Sequence, residues 1–258
     1  MKVDFFVAGV QKGGTTALDS FLRRHHRVQM AHVKELHVFD DESVDWSSPN
    51  FDRLHAGYDW SVADALRGEA TPIYTYWPQA LERLKRYNPE AKLIVGLRHP
   101  SFRAFSHWRM ETSRGAETLA FSEAIRAGRA RVAAAPNGVH RVYSYVERGF
   151  YSAQVARLQM FDPDHVHYFR TDRLWIQPRA ALDDIQRFLG IEPINLAEQE
   201  YIVPVSPMDL GTPSDADLAY LNDLFASNVR STAEATGLDL EDWFDLNYRE
   251  PMPSPGMG

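Results

Sequence analysis

"DFFVAGVQKGGTTALDSFLRRH", residues 4–25, is the stretch whose reading decides the fold. Residues 5–10 are apolar apart from a glycine, the pattern of a strand buried on both faces. "TTALDSFLRRH" then puts Leu18, Phe21 and Leu22 on one helical face, so the segment reads strand, loop, helix. Gly9 and Gly14 keep the glycine spacing of a Walker loop, G-x-x-x-x-G-K-[ST]. Thr15, however, stands where that motif has its lysine, and Lys12 lies inside the loop. Gly9, Gly13 and Gly14 let backbone N–H groups approach an anion closely, and the helix N-terminus adds a favourable field. Thr15 and Thr16 add hydroxyls at the same end. A plain glycine-rich turn joining strand to helix has the same look, and the loop alone leaves both readings open.

Outward from this loop the pattern alternates. "RVQM" (27–30), "KLIVGL" (92–97) and "HVHYF" (165–169) read as strands. Helices are predicted for "PQALERLKRYNPEA" (78–91), closed by Asn88-Pro89, and for "PSFRAFSHWRME" (100–111), with Pro100 in its first turn. Further helices are predicted at 121–132, 151–161, 178–190 and 214–237. The fold class is therefore α/β: a P-loop-like parallel β-sheet flanked by helices on both faces. Residues 40–68 read as irregular, and 111–147 as a helix with loose flanks, both suited to lids or acceptor-binding insertions. Residues 1–248 are expected to form one domain, and "REPMPSPGMG" (249–258) a loose tail.

The chain has 258 residues, a net charge of −7 and no cysteine. That length supports one sizeable core. The acidic balance points away from nucleic acid as a partner, and the missing cysteines exclude disulfides and thiolate chemistry. No apolar run is long enough to span a membrane and no signal peptide precedes the first strand, so a cytoplasmic protein is expected. His25 and His26 are adjacent, and no metal-ligand spacing is found, so no metal is expected.

Arg98 falls at the carboxyl end of "KLIVGL", where ligands of open α/β sheets bind, and Ser106 lies two helical turns further on. Taken singly, these are as well read as an ion-pair partner and an ordinary helix serine. With the first loop they suggest one ligand with two separated phosphate-like groups. "GVQKGGTTAL", "KELHVFD", "GEATPIY", "LIVGLRHPSFRAFSHWRM", "RGFYSAQVARL" and "HVHYFRTDRLWIQPRAALDDIQRFLGI" follow one another along the chain. In that order they resemble the motifs of the sulfotransferases that use 3′-phosphoadenosine 5′-phosphosulfate (PAPS), closest to the bacterial, carbohydrate-type branch that includes heparan sulfate sulfotransferase domains.

The resemblance implies that Lys12, Gly13, Gly14, Thr15 and Thr16 hold the 5′-phosphosulfate, with Lys12 on the oxygen bridging phosphate and sulfate. It implies that Arg98 and Ser106 grip the 3′-phosphate, for which the planar guanidinium fork is apt. Arg148 and Tyr151, in "RGFY", are further cofactor-side candidates. Glu35 takes the place of the family's catalytic base, and His37 stands ready to assist or replace it. The spent donor is 3′-phosphoadenosine 5′-phosphate (PAP). The acceptor implied is a hydroxyl-bearing small molecule, lipid or saccharide. Aromatic residues Phe39, Trp46, Tyr58, Trp60, Tyr74, Tyr76, Trp77 and Trp108 could stack on it or belong to the core.

Two departures stand out. Heparan sulfate-type relatives carry a lysine after the glutamate of "GEATP", where this chain has Ala70. "YIVPVSPMDLGTP" (201–213) replaces the basic loop that closes over the nucleotide in many members. The rival enzyme reading, a P-loop kinase of small molecules, needs a lysine beside the threonine pair and an acidic magnesium ligand. Thr15 takes the first position, and "LIVGLR" ends in arginine. A catalytically inert nucleotide-binding module is the other alternative, against which Lys12, Glu35, Arg98 and Ser106 are all present.

Overall fold

The structure is a computed structural model, and it describes residues 1–196 and 211–251. The described residues form two compact units, residues 1–97 with 157–196, and 98–156 with 211–251.

The first unit is built on a five-stranded sheet, ordered β2-β3-β1-β4-β5 and parallel throughout. Its strands are β1 (Phe5–Gly9), β2 (Val28–Met30), β3 (Leu66–Ala70), β4 (Lys92–Leu97) and β5 (Val166–Arg170). Alternation along β1 explains its unbroken apolar run. Phe5 and Val7 enter a core with Leu18 and Phe21 of α1 (Thr15–Leu22), and with Leu182 and Ile185 of α8 (Pro178–Leu189). Phe6 faces the other way, with Phe39 at 5.6 Å and Tyr87 of α3 (Ala80–Tyr87) at 6.4 Å between ring centroids. Helices thus cover both faces, as expected. Two short helices complete the unit, α2 (Asp52–His55) and α7 (Arg173–Ile176).

β3 is a correction. It lies inside the sheet between β2 and β1, yet residues 40–68 were expected to be irregular. "LRGEA" hides it, because Arg67, Gly68 and Glu69 break any apolar run or alternation. Gly68 is needed there: a Cβ would fall 2.1 Å from the ring of Phe5.

The second unit is helical: α4 (Pro100–Ser113), α5 (Phe121–Ala133), α9 (Asp215–Thr236) and the first turns of α6 (Tyr151–Leu158). Ser101 donates to Asn222 at 2.6 Å, and Phe150 meets Phe225 at 5.1 Å. The tail expected at 249–258 is tied down where it is described, since Glu250 pairs with Arg98. Residues 252–258 and most of "YIVPVSPMDLGTP" lie outside the described residues. Among the described residues no helix is long and apolar enough to cross a membrane.

Candidate active site

The first loop is shaped by close backbone approach. Gly13 donates to the Val10 carbonyl at 2.8 Å, and its own carbonyl accepts from the Thr171 hydroxyl at 3.1 Å. A Cβ on Gly13 would lie 2.5 Å from the Gly96 carbonyl oxygen, so glycine is required. Lys12 (φ 68°) and Gly14 (φ 73°) are both left-handed, which turns the chain abruptly into α1. Gly14 is the N-cap and no side chain caps the helix, so its first amides face the loop. Thr15 is buried and Thr16 exposed.

A second loop follows β2. Glu35 (φ 63°) and His37 (φ 51°) are also left-handed. Residues other than glycine hold that conformation only where their surroundings enforce it. Here the Glu35 N–H donates to the Ala70 carbonyl at 3.1 Å, and Arg53 donates to the His37 carbonyl at 2.7 Å. The turn brings four charged groups together. Lys34 Nζ is 2.5 Å from Glu35 Oε1, His37 Nε2 is 3.6 Å from Glu35 Oε2, and His37 Nδ1 is 2.8 Å from Asp40 Oδ2. Burial opposes ionisation of Glu35, but His37 and Lys34 outweigh it and hold the carboxyl at about 2. Asp40, fully buried, and then Glu35 push the imidazole up to about 9. At neutral pH the pair is therefore a carboxylate beside an imidazolium. Protonated on both ring nitrogens, His37 donates to Asp40 and faces Glu35.

The stretch after β3 touches the second loop and the end of β1, just before the first loop. The His37 N–H lies 3.4 Å from Thr71 Oγ1, while the Thr75 N–H donates to the Ala8 carbonyl at 3.1 Å. Thr75 also packs where a Cβ on Gly9 would fall.

In the second unit, Arg98 directly follows β4 and is held by Glu250, with Nε 2.6 Å from Oε1 and a second short bond from the guanidinium to Oε2. Tyr151, fully buried, donates to the Arg98 carbonyl at 2.6 Å. Ser106 is half-buried on α4. Arg148 is buried with its guanidinium on the Ser144 hydroxyl (2.7 Å) and the Arg141 carbonyl (2.8 Å), an internal brace for residues 140–148. Of the aromatic set, Phe39, Tyr58, Tyr74, Tyr76 and Trp108 are core, leaving Trp46, Trp60 and Trp77 half-buried.

Sequence reasoning passed over Asp40, Glu69 and Glu250. Asp40 ends the quoted "KELHVFD", and its spacing of three from His37 was the one available signal.

Residues 2–202 match the sulfotransferase domain family. The chain is 31% identical over 194 residues to heparan sulfate glucosamine 3-O-sulfotransferase 6 of Mus musculus, covering 73% of this chain and 52% of that one. It is 30% identical over 206 residues to the human bifunctional heparan sulfate N-deacetylase/N-sulfotransferase 3, covering 73% of this chain and 22% of that one. It thus spans about half or less of the curated relatives it matches. The crystal structure of a sulfotransferase from Alicyclobacillus acidocaldarius superposes with a TM-score of 0.80 at 24% identity, over 95% of this chain and all of that one.

Proposed function

The chain belongs to the sulfotransferase domain family, and from that premise we propose that it transfers a sulfuryl group from PAPS to a hydroxyl of a small-molecule, lipid or saccharide acceptor. One observation carries the reading. The amide cradle at Gly13 and Gly14, with Lys12 in the turn, shares a unit with an ionised carboxylate on the loop after the next strand. The first suits the phosphosulfate and the second the acceptor.

Sulfuryl transfer needs an aligned nucleophile and leaving group, with charge neutralised where it develops. The acceptor oxygen forms a bond to sulfur as the bond from sulfur to the 5′-phosphate oxygen breaks. The electron pair leaves with PAP, and Lys12 and the loop amides stabilise it. The acceptor proton passes to Glu35. A carboxylate held at about 2 is a weak base, so the proton moves late. Once its oxygen is bonded to sulfur, the acceptor O–H is a strong acid and a weak base suffices. His37, charged and seated on Asp40, fixes the carboxylate.

Arg98 and Ser106 are assigned the 3′-phosphate from the sequence pattern, and Glu250 pairs with Arg98. Tyr151 supports that segment through the Arg98 carbonyl, and Arg148 braces residues 140–148 through the Arg141 carbonyl. Thermal shift with PAP against ATP plus magnesium tests the donor. Label moved from PAPS onto members of an alcohol panel, read by mass, tests the transfer. A shift with ATP and none with PAP refutes the reading in favour of the kinase.

A further inference from the structure

Glu69 is wholly buried in the interior strand β3 and has no part in the chemistry above. Its Oε1 accepts from the Leu36 N–H at 3.2 Å and from the Thr71 hydroxyl. Oε2 is equally buried and accepts no hydrogen bond among the described residues. Carboxylates are not left half-satisfied in a core without a large penalty, whereas a carboxylic acid carries its proton on the bare oxygen. Burial accordingly pushes this group up to about 7, against the opposing pull of Thr71, Leu36 and the His37 charge.

Leu36 is the residue between left-handed Glu35 and His37. Its N–H points to Glu69, and the His37 N–H lies on the Thr71 hydroxyl that itself donates to Glu69. One buried carboxyl therefore gathers the amides of consecutive residues in the base loop. The Glu35 N–H is held separately, on the Ala70 carbonyl of the same strand. We propose that Glu69 is a positioning residue, whose carboxyl holds the turn that sets Glu35 and His37 at their 3.6 Å separation. This rests on the reading of Glu35 as base.

The test compares Glu69→Gln, Glu69→Leu and Thr71→Val with Glu35→Gln, following PAPS conversion to PAP with water or an alcohol as acceptor. PAP affinity is measured by calorimetry, and the His37 ring is titrated by NMR. Glutamine keeps an acceptor oxygen for Leu36 and Thr71, so Glu69→Gln stays within about threefold of the parent rate. Glu69→Leu strips both bonds and lowers kcat by about 100-fold, the scale of a misplaced catalytic group, with PAP affinity held within about twofold. Its His37 titration falls below about 9 as the Glu35 contact is lost, while Asp40 keeps it raised, which a merely structural loss would not produce selectively. Thr71→Val, the milder lesion should leucine prevent folding, lowers kcat by about tenfold.

If Glu35→Gln slows conversion while Glu69→Leu or Thr71→Val does not, the positioning role is wrong and the base survives. A glutamine variant as damaged as leucine, or PAP affinity falling in step with kcat, overturns it equally. If Glu35→Gln itself is harmless, the base assignment fails first.

Discussion

Replacing Glu250 by Gln should make the protein less stable and its grip on PAP tighter. Arg98 and Glu250 are 21% and 10% exposed at their side chains, so the pair is only weakly screened by solvent. A hydrogen bond to a charged group contributes about 1.5–3 kcal/mol, and glutamine leaves the guanidinium without its counter-charge. For a protein of this length such a loss lowers the melting temperature by about 3–12 °C. On the proposed assignment of Arg98, however, the 3′-phosphate has to displace Glu250. The energy lost without ligand is absent from the complex, so PAP binding tightens by the same amount, about 10- to 150-fold. Calorimetry with PAP reads the affinity and scanning calorimetry the stability. Adenosine 5′-phosphate, lacking the 3′-phosphate, should bind both forms alike. Weaker PAP binding in Glu250→Gln would show that Glu250 orients Arg98 for the ligand and refute the competition. If Arg98→Ala leaves PAP affinity unchanged as well, Arg98 is not the phosphate ligand.

Lys12→Ala should raise the transfer barrier by about 2.7–4 kcal/mol, by analogy with loss of an oxyanion-hole donor. Glu35→Gln should stop most turnover yet bind PAP as the parent does; lost PAP affinity on calorimetry contradicts its role as base. The rate should hold across neutral pH and fall as pH rises through about 9, where His37 gives up its proton. The stability this group contributes is complete below its ordinary value of 6.5 and disappears over the same rise, because folding raises its affinity for the proton. Asp40→Asn removes the largest cause of that rise, so the alkaline limb should move towards 6.5; an unmoved limb excludes His37 as its origin. Gly13→Ala forces a methyl to 2.5 Å from the Gly96 carbonyl and should destabilise by about 1–3 kcal/mol while abolishing PAP binding. Unchanged melting and binding would show that the cradle yields more than its geometry implies.

The opening strand, loop and helix were legible because local pattern and tertiary role agree there: Phe5, Val7, Leu18 and Phe21 all share one core. β3 was not, since its partners on both sides bury charged and glycine residues that no local pattern marks as strand. Glu35 and His37 were found by motif, and their left-handed backbone was invisible, because β3 and Arg53 impose it from elsewhere in the chain. Glu250 lies 152 residues from Arg98, beyond any spacing argument.

Thr71 and Thr75, at opposite ends of one short span, fasten to the Glu35–His37 loop and to the end of β1 respectively. The spacing of the two elements is thereby gauged from a common rule, residues 71–75. An insertion of a single residue between 71 and 75 would put the Glu35 loop out of step with the end of β1 while leaving every side chain intact.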